Sequence, residues 1–314
     1  MTALRRLDAD AVTAALSPAA AVDAIAGALT GGFDPARDIA RTIAETSQGQ
    51  FLLMPAEVGD AAGVKVATVA PANPAVGLPR IQASYLFFDA RTLTLRATLD
   101  GTALTTLRTP AVSVAAIRPA LERFDGPLRV AVFGAGPQGI GHVQTLAAIA
   151  PGPLAGTTFI VRHPDKAVLE ARELGEVVDA GSPEARQALS GAQVVVCATS
   201  ARTPLFDADA VASNAVVIAV GSHEPDAREL PGALLARSTV IVEDRGTAVR
   251  EAGDIVLALG DGVITEDDLI PMRDAVTGVA AIPADRPVVF KSVGMSWQDL
   301  VVADAVLRAA DRRA

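Results

Sequence analysis

The chain has a single cysteine, Cys197, among 314 residues. No internal disulfide can form, and a reducing compartment such as the cytoplasm fits. Cys197 closes the apolar run Val194-Val195-Val196-Cys197 and reads as a small buried hydrophobe, not a nucleophile. Histidine is nearly as scarce. His142, His163 and His223, taken with Cys197, give no metal-ligand spacing. Long hydrophobic runs are missing too: no uninterrupted apolar stretch reaches the roughly 20 residues of a membrane-spanning helix. The opening Met1-Thr2-Ala3-Leu4-Arg5-Arg6 runs into Asp8, Asp10 and Asp23 and does not read as a secretory signal. Positive charge is in deficit, with a formal net charge of −9. Such a surface repels nucleic acid and anionic membrane, and leaves small molecules as partners, including an anion in a local basic pocket. There is no repeat and no low-complexity tract.

What is present is ample apolar material, half of all residues, in a length that favours two domains. Residues 7–30 read as helices, with Ser17 as N-cap and Pro18 at the first helical position. Strands are expected at Gln50 to Met54, Val64 to Val69, Ser84 to Asp89 and Leu93 to Leu99, forming a mostly antiparallel sheet in an α+β arrangement. Asp100-Gly101 reads as a turn. Thr109-Pro110 reads as N-cap and first residue of a helix to Glu122, and Asp125-Gly126-Pro127 breaks the chain. Beyond it, Val130 to Phe133, Phe159 to Val161, Val194 to Val196, Val216 to Val220, Thr239 to Val242 and Val288 to Phe290 are β-branched runs at helical separations. Strands buried on both faces build a parallel, doubly wound α/β sheet of Rossmann type. A last helix, about Trp297 to Asp311, is long enough to pack back onto the first domain.

Gly134-Ala135-Gly136-Pro137-Gln138-Gly139 matches G-x-G-x-x-G directly after a predicted strand and opens a helix through His142, Val143, Leu146 and Ile149. In that context the glycines serve a tight turn, close approach of a pyrophosphate and close helix packing, with the helix N-terminus facing the phosphates. The next strand ends in Arg162-His163 with Lys166 one turn on, where an NAD-preferring site carries an acid. Cations there favour a ribose 2′-phosphate, hence NADPH, with NADH the other possibility. Thr199, Ser200, Val220, Gly221 and Ser222 lie at C-terminal strand ends, where open α/β sheets bind ligands, and are expected on the nicotinamide side.

In the first domain Lys65 stands inside a predicted strand, and Arg41 precedes the strand region. Arg108 falls at an expected helix start, where a cation opposes the helix dipole and so points to a nearby anion.

These motifs together resemble the ornithine cyclodeaminase/mu-crystallin family along nearly the whole chain. The matching stretches include Leu53-Met54-Pro55-Ala56, Gly63-Val64-Lys65, Gly77-Leu78-Pro79, Leu99-Asp100-Gly101, and Leu104-Thr105-Thr106-Leu107-Arg108-Thr109. Further on come the loop Gly134 to Gly139, Val220-Gly221-Ser222-His223, Arg228-Glu229-Leu230, and Phe290-Lys291-Ser292-Val293-Gly294. The resemblance implies a homodimer. It implies a substrate-binding and dimerisation domain, residues 1–122 with 292–314, and a Rossmann domain, residues 123–291, with the catalytic cleft between them. Arg41, Lys65 and Arg108 would bind the α-carboxylate of an amino or imino acid, with Met54 beside them, and Thr109 and Ser292 would join the cofactor site. An arginine fork suits a planar carboxylate. One departure stands out: where ornithine cyclodeaminases carry an aspartate after the Gly-small pair, this chain has His223. The branch with reductase activity commonly lacks that aspartate. The expected activity is therefore NAD(P)H-dependent reduction of a cyclic imino acid, such as Δ1-pyrroline-2-carboxylate or Δ1-piperideine-2-carboxylate. Lys65 and His223 are the candidate proton donors. A cyclodeaminase with bound NAD, an alanine-type amino-acid dehydrogenase and a non-catalytic NADPH-binding protein remain the alternatives.

Overall fold

The computed structural model describes residues 4–150 and 152–313. The first three residues of the opening stretch read above lie outside it. Contacts divide the chain into two compact units, one made of Met1–Val112 and Gly294–Ala314, the other of Ser113–Val293.

The first unit begins with β1 (Arg5–Leu7), α1 (Ala9–Ala15) and α2 (Pro18–Thr30). Asp8 and Ser17 cap these helices, their side chains accepting from the backbone N–H of Ala11 and Ala20. A sheet follows: β2 (Thr42–Thr46), β3 (Gly49–Val58), β4 (Ala61–Val69), β5 (Ile81–Asp89) and β6 (Leu95–Asp100). The order is β1-β6-β5-β4-β3-β2, antiparallel throughout except for β1 on β6. The short β1 and the exposed β2 lack an alternating apolar pattern, and sequence reading passes over both.

Period-two alternation gives the sheet two unlike faces. Met54, Ala56, Lys65, Ala67, Tyr85 and Phe87 are buried, whereas the alternate residues Phe51, Leu53, Val64, Val66 and Leu86 are half-buried or exposed. The C-terminal helix belongs to this unit and packs on β3, β4 and α2.

The helix α3 (Gly101–Leu121) corrects the sequence reading. It starts eight residues before Thr109, so Asp100-Gly101 is no hairpin turn. Asp100 instead caps the helix, its Oδ1 accepting from the N–H of Ala103 at 2.8 Å. Thr109 is not an N-cap, Pro110 sits in the helix interior, and Arg108 is not at a helix start. The dipole argument for an anion near Arg108 therefore fails. A proline costs one backbone hydrogen bond, and a long helix buried on much of its surface absorbs that loss.

The second unit runs β7 (Arg129–Phe133), α4 (Pro137–Ile149), β8 (Gly156–Val161), α5 (Leu169–Leu174), β9 (Glu176–Asp179), α6 (Pro183–Gly191), β10 (Val194–Cys197) and β11 (Val216–Ala219). It continues with α7 (Gly232–Ala236), β12 (Thr239–Val242), α8 (Arg245–Glu251), α9 (Gly253–Gly260), β13 (Leu269–Pro271), α10 (Met272–Val276) and β14 (Val288–Lys291), and the chain ends on α11 (Ser296–Asp311). All eight strands pair in parallel in the order β13-β12-β14-β11-β10-β7-β8-β9. The edge strands β9 and β13, four and three residues long, are too short to stand out in the sequence. Every residue of β10, β11, β12 and β14 is buried, as continuous β-branched runs require. Strand order reverses between β7 and β10, and ligands of such sheets bind at the carboxyl ends beside that reversal. Among the described residues no single helix is long and apolar enough to cross a membrane.

Candidate functional site

In the first unit a charged cluster lies on the buried face of the sheet. Lys65 projects from β4, opposite Met54 on β3 and Tyr85 on β5, because all three fall on the inward phase of the pleat. Its Nζ meets Asp299 Oδ2 of α11 at 2.7 Å and donates to Thr105 Oγ1 of α3 at 3.4 Å. Arg108, nearly one turn beyond Thr105 along α3, sets Nε 3.3 Å from the other oxygen of Asp299 and donates from Nη1 to Gln298 Oε1 at 2.9 Å. Lys65 and Arg108 are about 95% shielded and Asp299 entirely so. Arg41, half-buried, donates from Nη2 to the carbonyl of Gly294 at 2.7 Å. Gly294 has φ +80°, and a Cβ there would lie 2.9 Å from both terminal nitrogens of Arg108. A side chain at 294 would thus displace the guanidinium.

The cluster sets the charge of its lysine. Burial lowers Lys65 from 10.5 to about 8, Asp299 pulls the other way, and Arg108 and Arg41 add to the lowering. The Tyr85 hydroxyl is buried with no hydrogen-bond partner among the described residues, and burial together with Asp299 raises it well above the ordinary phenol range. Sequence reading selects Arg41, Lys65, Arg108 and Met54 and misses Asp299. An acid in the first turn of a helix is the commonest of patterns, and nothing local marks it as a partner of residues some two hundred positions away.

In the second unit the glycine loop follows β7 at the strand-order reversal. Gly134 has φ +99°, and a Cβ there would come 2.5 Å from the carbonyl oxygen of Ala198. A Cβ on Gly139 would stand 2.1 Å from the carbonyl oxygen of Gly134. Both positions therefore demand glycine. At Gly136 nothing lies within 4 Å of a Cβ position, so the backbone is open to a ligand. Gly136 is the N-cap of α4, supplies no capping side chain, and no acid stands in the first turn. The N–H groups and positive dipole end of this 13-residue helix are thus left for an outside anion. These features fit a dinucleotide pyrophosphate, with Ala135, Pro137 and Gln138 completing the loop.

Arg162 and His163 lie just past β8, with Lys166 one turn on, all exposed, with Asp165 the one acid of that turn. Arg172 holds the turn by donating to the carbonyls of Pro164 and Ala167. Thr199 follows β10 and Gly221 follows β11. Both are tied to Glu229, whose Oε1 accepts from the N–H and Oγ1 of Thr199 at 2.8 and 2.7 Å and whose Oε2 accepts from the N–H of Gly221 at 2.7 Å. Asp254 accepts in turn from the N–H groups of Glu229 and Leu230, both at 2.8 Å, and pairs with Lys291 at 2.8 Å. Lys291 also donates to the carbonyl of Ser222 at 2.6 Å. Burial raises Glu229, with Lys291 and the Thr199 donors opposing.

Several expected cofactor residues use their side chains internally. Ser222 Oγ donates to the carbonyl of Ala227, and Ser292 Oγ donates to Glu243 at 2.8 Å. Ser200 follows Thr199 at the surface, Val220 lies one residue past β11, and Thr109 lies buried on α3 beside Arg108. His223 is exposed. Of the buried carboxylates Glu229, Asp254 and Glu243, sequence reading includes Glu229 in a matching stretch without a role and passes over the other two.

A parallel sheet with an anion-ready glycine loop at its switch point, and a separate unit bearing a buried cationic cluster, define a two-unit protein of the dinucleotide-binding α/β class. The chain belongs to the ornithine cyclodeaminase/mu-crystallin family, whose profile matches residues 8–313. It is 31% identical over 278 residues to Delta(1)-pyrroline-2-carboxylate reductase 2 of Burkholderia ambifaria, covering 84% of this chain and 82% of that protein. Ketimine reductase mu-crystallin of Mus musculus is 29% identical over 250 residues, 79% of this chain and 75% of its own. Among solved structures, Thermococcus litoralis Delta(1)-pyrroline-2-carboxylate reductase in complex with NADH and L-proline superposes with a TM-score of 0.87 at 25% identity, covering 99% of this chain and 98% of the other.

Proposed function

We propose that the protein reduces a cyclic imino acid, Δ1-pyrroline-2-carboxylate or its six-membered analogue, to the corresponding amino acid with NAD(P)H. The observation that carries this reading is the buried cluster in which two cations, Lys65 and Arg108, share one carboxylate, Asp299. The excess positive charge calls for an anion, and a substrate carboxylate supplies it. Arg108 and Arg41 hold that carboxylate. Lys65, with a pKa of about 8, keeps a proton on Nζ near neutrality and can release it to the imine nitrogen. Burial excludes competing water. Bound at the loop Gly134 to Gly139, the reduced nicotinamide contributes the hydride. The exposed His223 is the weaker donor candidate, since it lacks the desolvation that tunes Lys65. The absence of an aspartate at 223 favours reduction over cyclodeamination. Arg162 and His163, standing directly after β8 where an acid would take the 2′-hydroxyl, support NADPH over NADH together with Lys166.

The same reading carries a cytoplasmic homodimer. Phe51, Leu53, Val64, Val66 and Leu86 form an uncovered apolar face on the sheet of the first unit, a surface suited to a second copy of the chain.

The decisive assay follows cofactor absorbance with Δ1-pyrroline-2-carboxylate, using NADPH and NADH in parallel. Turnover to proline, faster with NADPH at equal concentration, is the expected result. Ammonia and proline from ornithine without net cofactor oxidation would replace the reductase reading by a cyclodeaminase.

A further inference from the structure

Lys65 is faced from every side by groups that bear on its charge. Arg108 and Thr105 reach it from α3, Asp299 and Gln298 stand on α11, Tyr85 lies on β5, Met54 on β3, and Arg41 and Asp38 come from the segment before β2. Asp299 touches both cations, one oxygen to each, and it is wholly buried. A lysine shielded to this degree in an apolar wall loses its proton unless an anion is in contact. A second cation beside it makes the loss more favourable still. Asp299 offsets part of the positive charge that Lys65 and Arg108 bring to the site.

We propose that Asp299 is a positioning residue that acts through Lys65 and Arg108, keeping Nζ protonated for transfer. It touches neither substrate nor cofactor in this role. The inference rests on the imino-acid reductase reading for its catalytic consequence, but not for its electrostatic core. After transfer, neutral Lys65 regains its proton from solvent, and Asp299 holds the amine in place between turnovers.

The chain offers a direct probe, since it has three lysines, Lys65, Lys166 and Lys291. Protein labelled with lysine carrying carbon-13 at Cε gives three resonances, assigned by replacing Lys166 with arginine and Lys65 with methionine. In Asp299→Asn, which keeps the shape and removes the charge, the Lys65 titration is expected to move down by about one to three units, with Lys166 unmoved. The alkaline limb of kcat/KM for Δ1-pyrroline-2-carboxylate should move with it, and kcat/KM at pH 8 should fall about tenfold or more. Asp299→Glu, which keeps the charge, should hold Lys65 within about one unit of the parent, and it decides the matter if the Asn variant does not fold. An unchanged Lys65 titration in Asp299→Asn, or a fall in Asp299→Glu equal to that in the Asn variant, overturns the proposal. A shifted titration in a protein that does not reduce the imine leaves Asp299 in its electrostatic role and removes the reductase reading instead.

Discussion

His142 is a polar residue buried within the first turns of α4, and its two ring nitrogens have unlike partners. Nδ1 lies 2.7 Å from the carbonyl oxygen of Gln138, which can only accept, so Nδ1 carries the hydrogen. Nε2, 2.9 Å from Ser113 Oγ, is then the bare nitrogen and accepts from the hydroxyl. The neutral ring satisfies both contacts, and burial lowers its pKa from 6.5 to about 4. A histidine whose folded value lies below its unfolded value adds stability that is full above pH 6.5 and is lost as the pH falls toward 4. The difference corresponds to ~3 kcal/mol. Urea unfolding at pH 7 and pH 4 should show a drop of that order attributable to this residue, and His142→Gln should be flatter over the same range. Equal slopes in the two proteins would remove His142 from the acid response. The same histidine shows the limit of counting ligands in a sequence: it is a packing residue beneath the glycine loop. Lys65 was legible as a cation inside a strand, but its partner was not, because Asp299 becomes a neighbour only once α11 lies across β3 and β4.

At the scale of elements, the loop and helix from Gly134 to Ile149 were readable almost to the residue. Their chemistry is local: a buried strand, a left-handed glycine, and an uncapped helix start. Gly139→Ala tests that reading. The added methyl would meet the Gly134 carbonyl oxygen at 2.1 Å, so the loop must shift. Dinucleotide affinity, measured by calorimetry or fluorescence titration, should fall at least about tenfold, and thermal stability should fall as well, as for other overpacked positions. Unaltered affinity would mean that the loop does not grip the ligand. Helix α3 shows the reverse case. Thr109-Pro110 has the composition of a helix start, yet the helix begins at Gly101 under an Asp100 cap. Both positions obey capping chemistry, and burial along the helix decided between them. That shift by two turns matters to the site, because Thr105 and Arg108 reach Lys65 and Asp299 from the helix interior and not from its first turn.

For the whole molecule, the uncovered sheet face of the first unit carries the expectation of a dimer. Its residues Leu53 and Val66 are cross-strand partners on β3 and β4. A carboxylate at the centre of an apolar interface is strongly unfavourable, so Val66→Glu should convert a dimer to a monomer of 32.0 kDa in light scattering. The isolated chain should keep its sheet, since the side chain points away from the buried face. A parent protein that runs as a monomer at micromolar concentration would end the dimer reading. By itself the sequence determined the elements whose signals lie within a few residues: the alternating strands, the continuous β-branched runs, the glycine loop and the basic end of β8. Those signals survive because backbone geometry and side-chain period are local properties. Tertiary structure alone decided which charges meet, placing Asp299 between Lys65 and Arg108 and Glu229 between Thr199 and Gly221. Such pairs join distant positions, and what selects them is the cost of burying a charge without a partner, a quantity that has no value until the chain has folded around it.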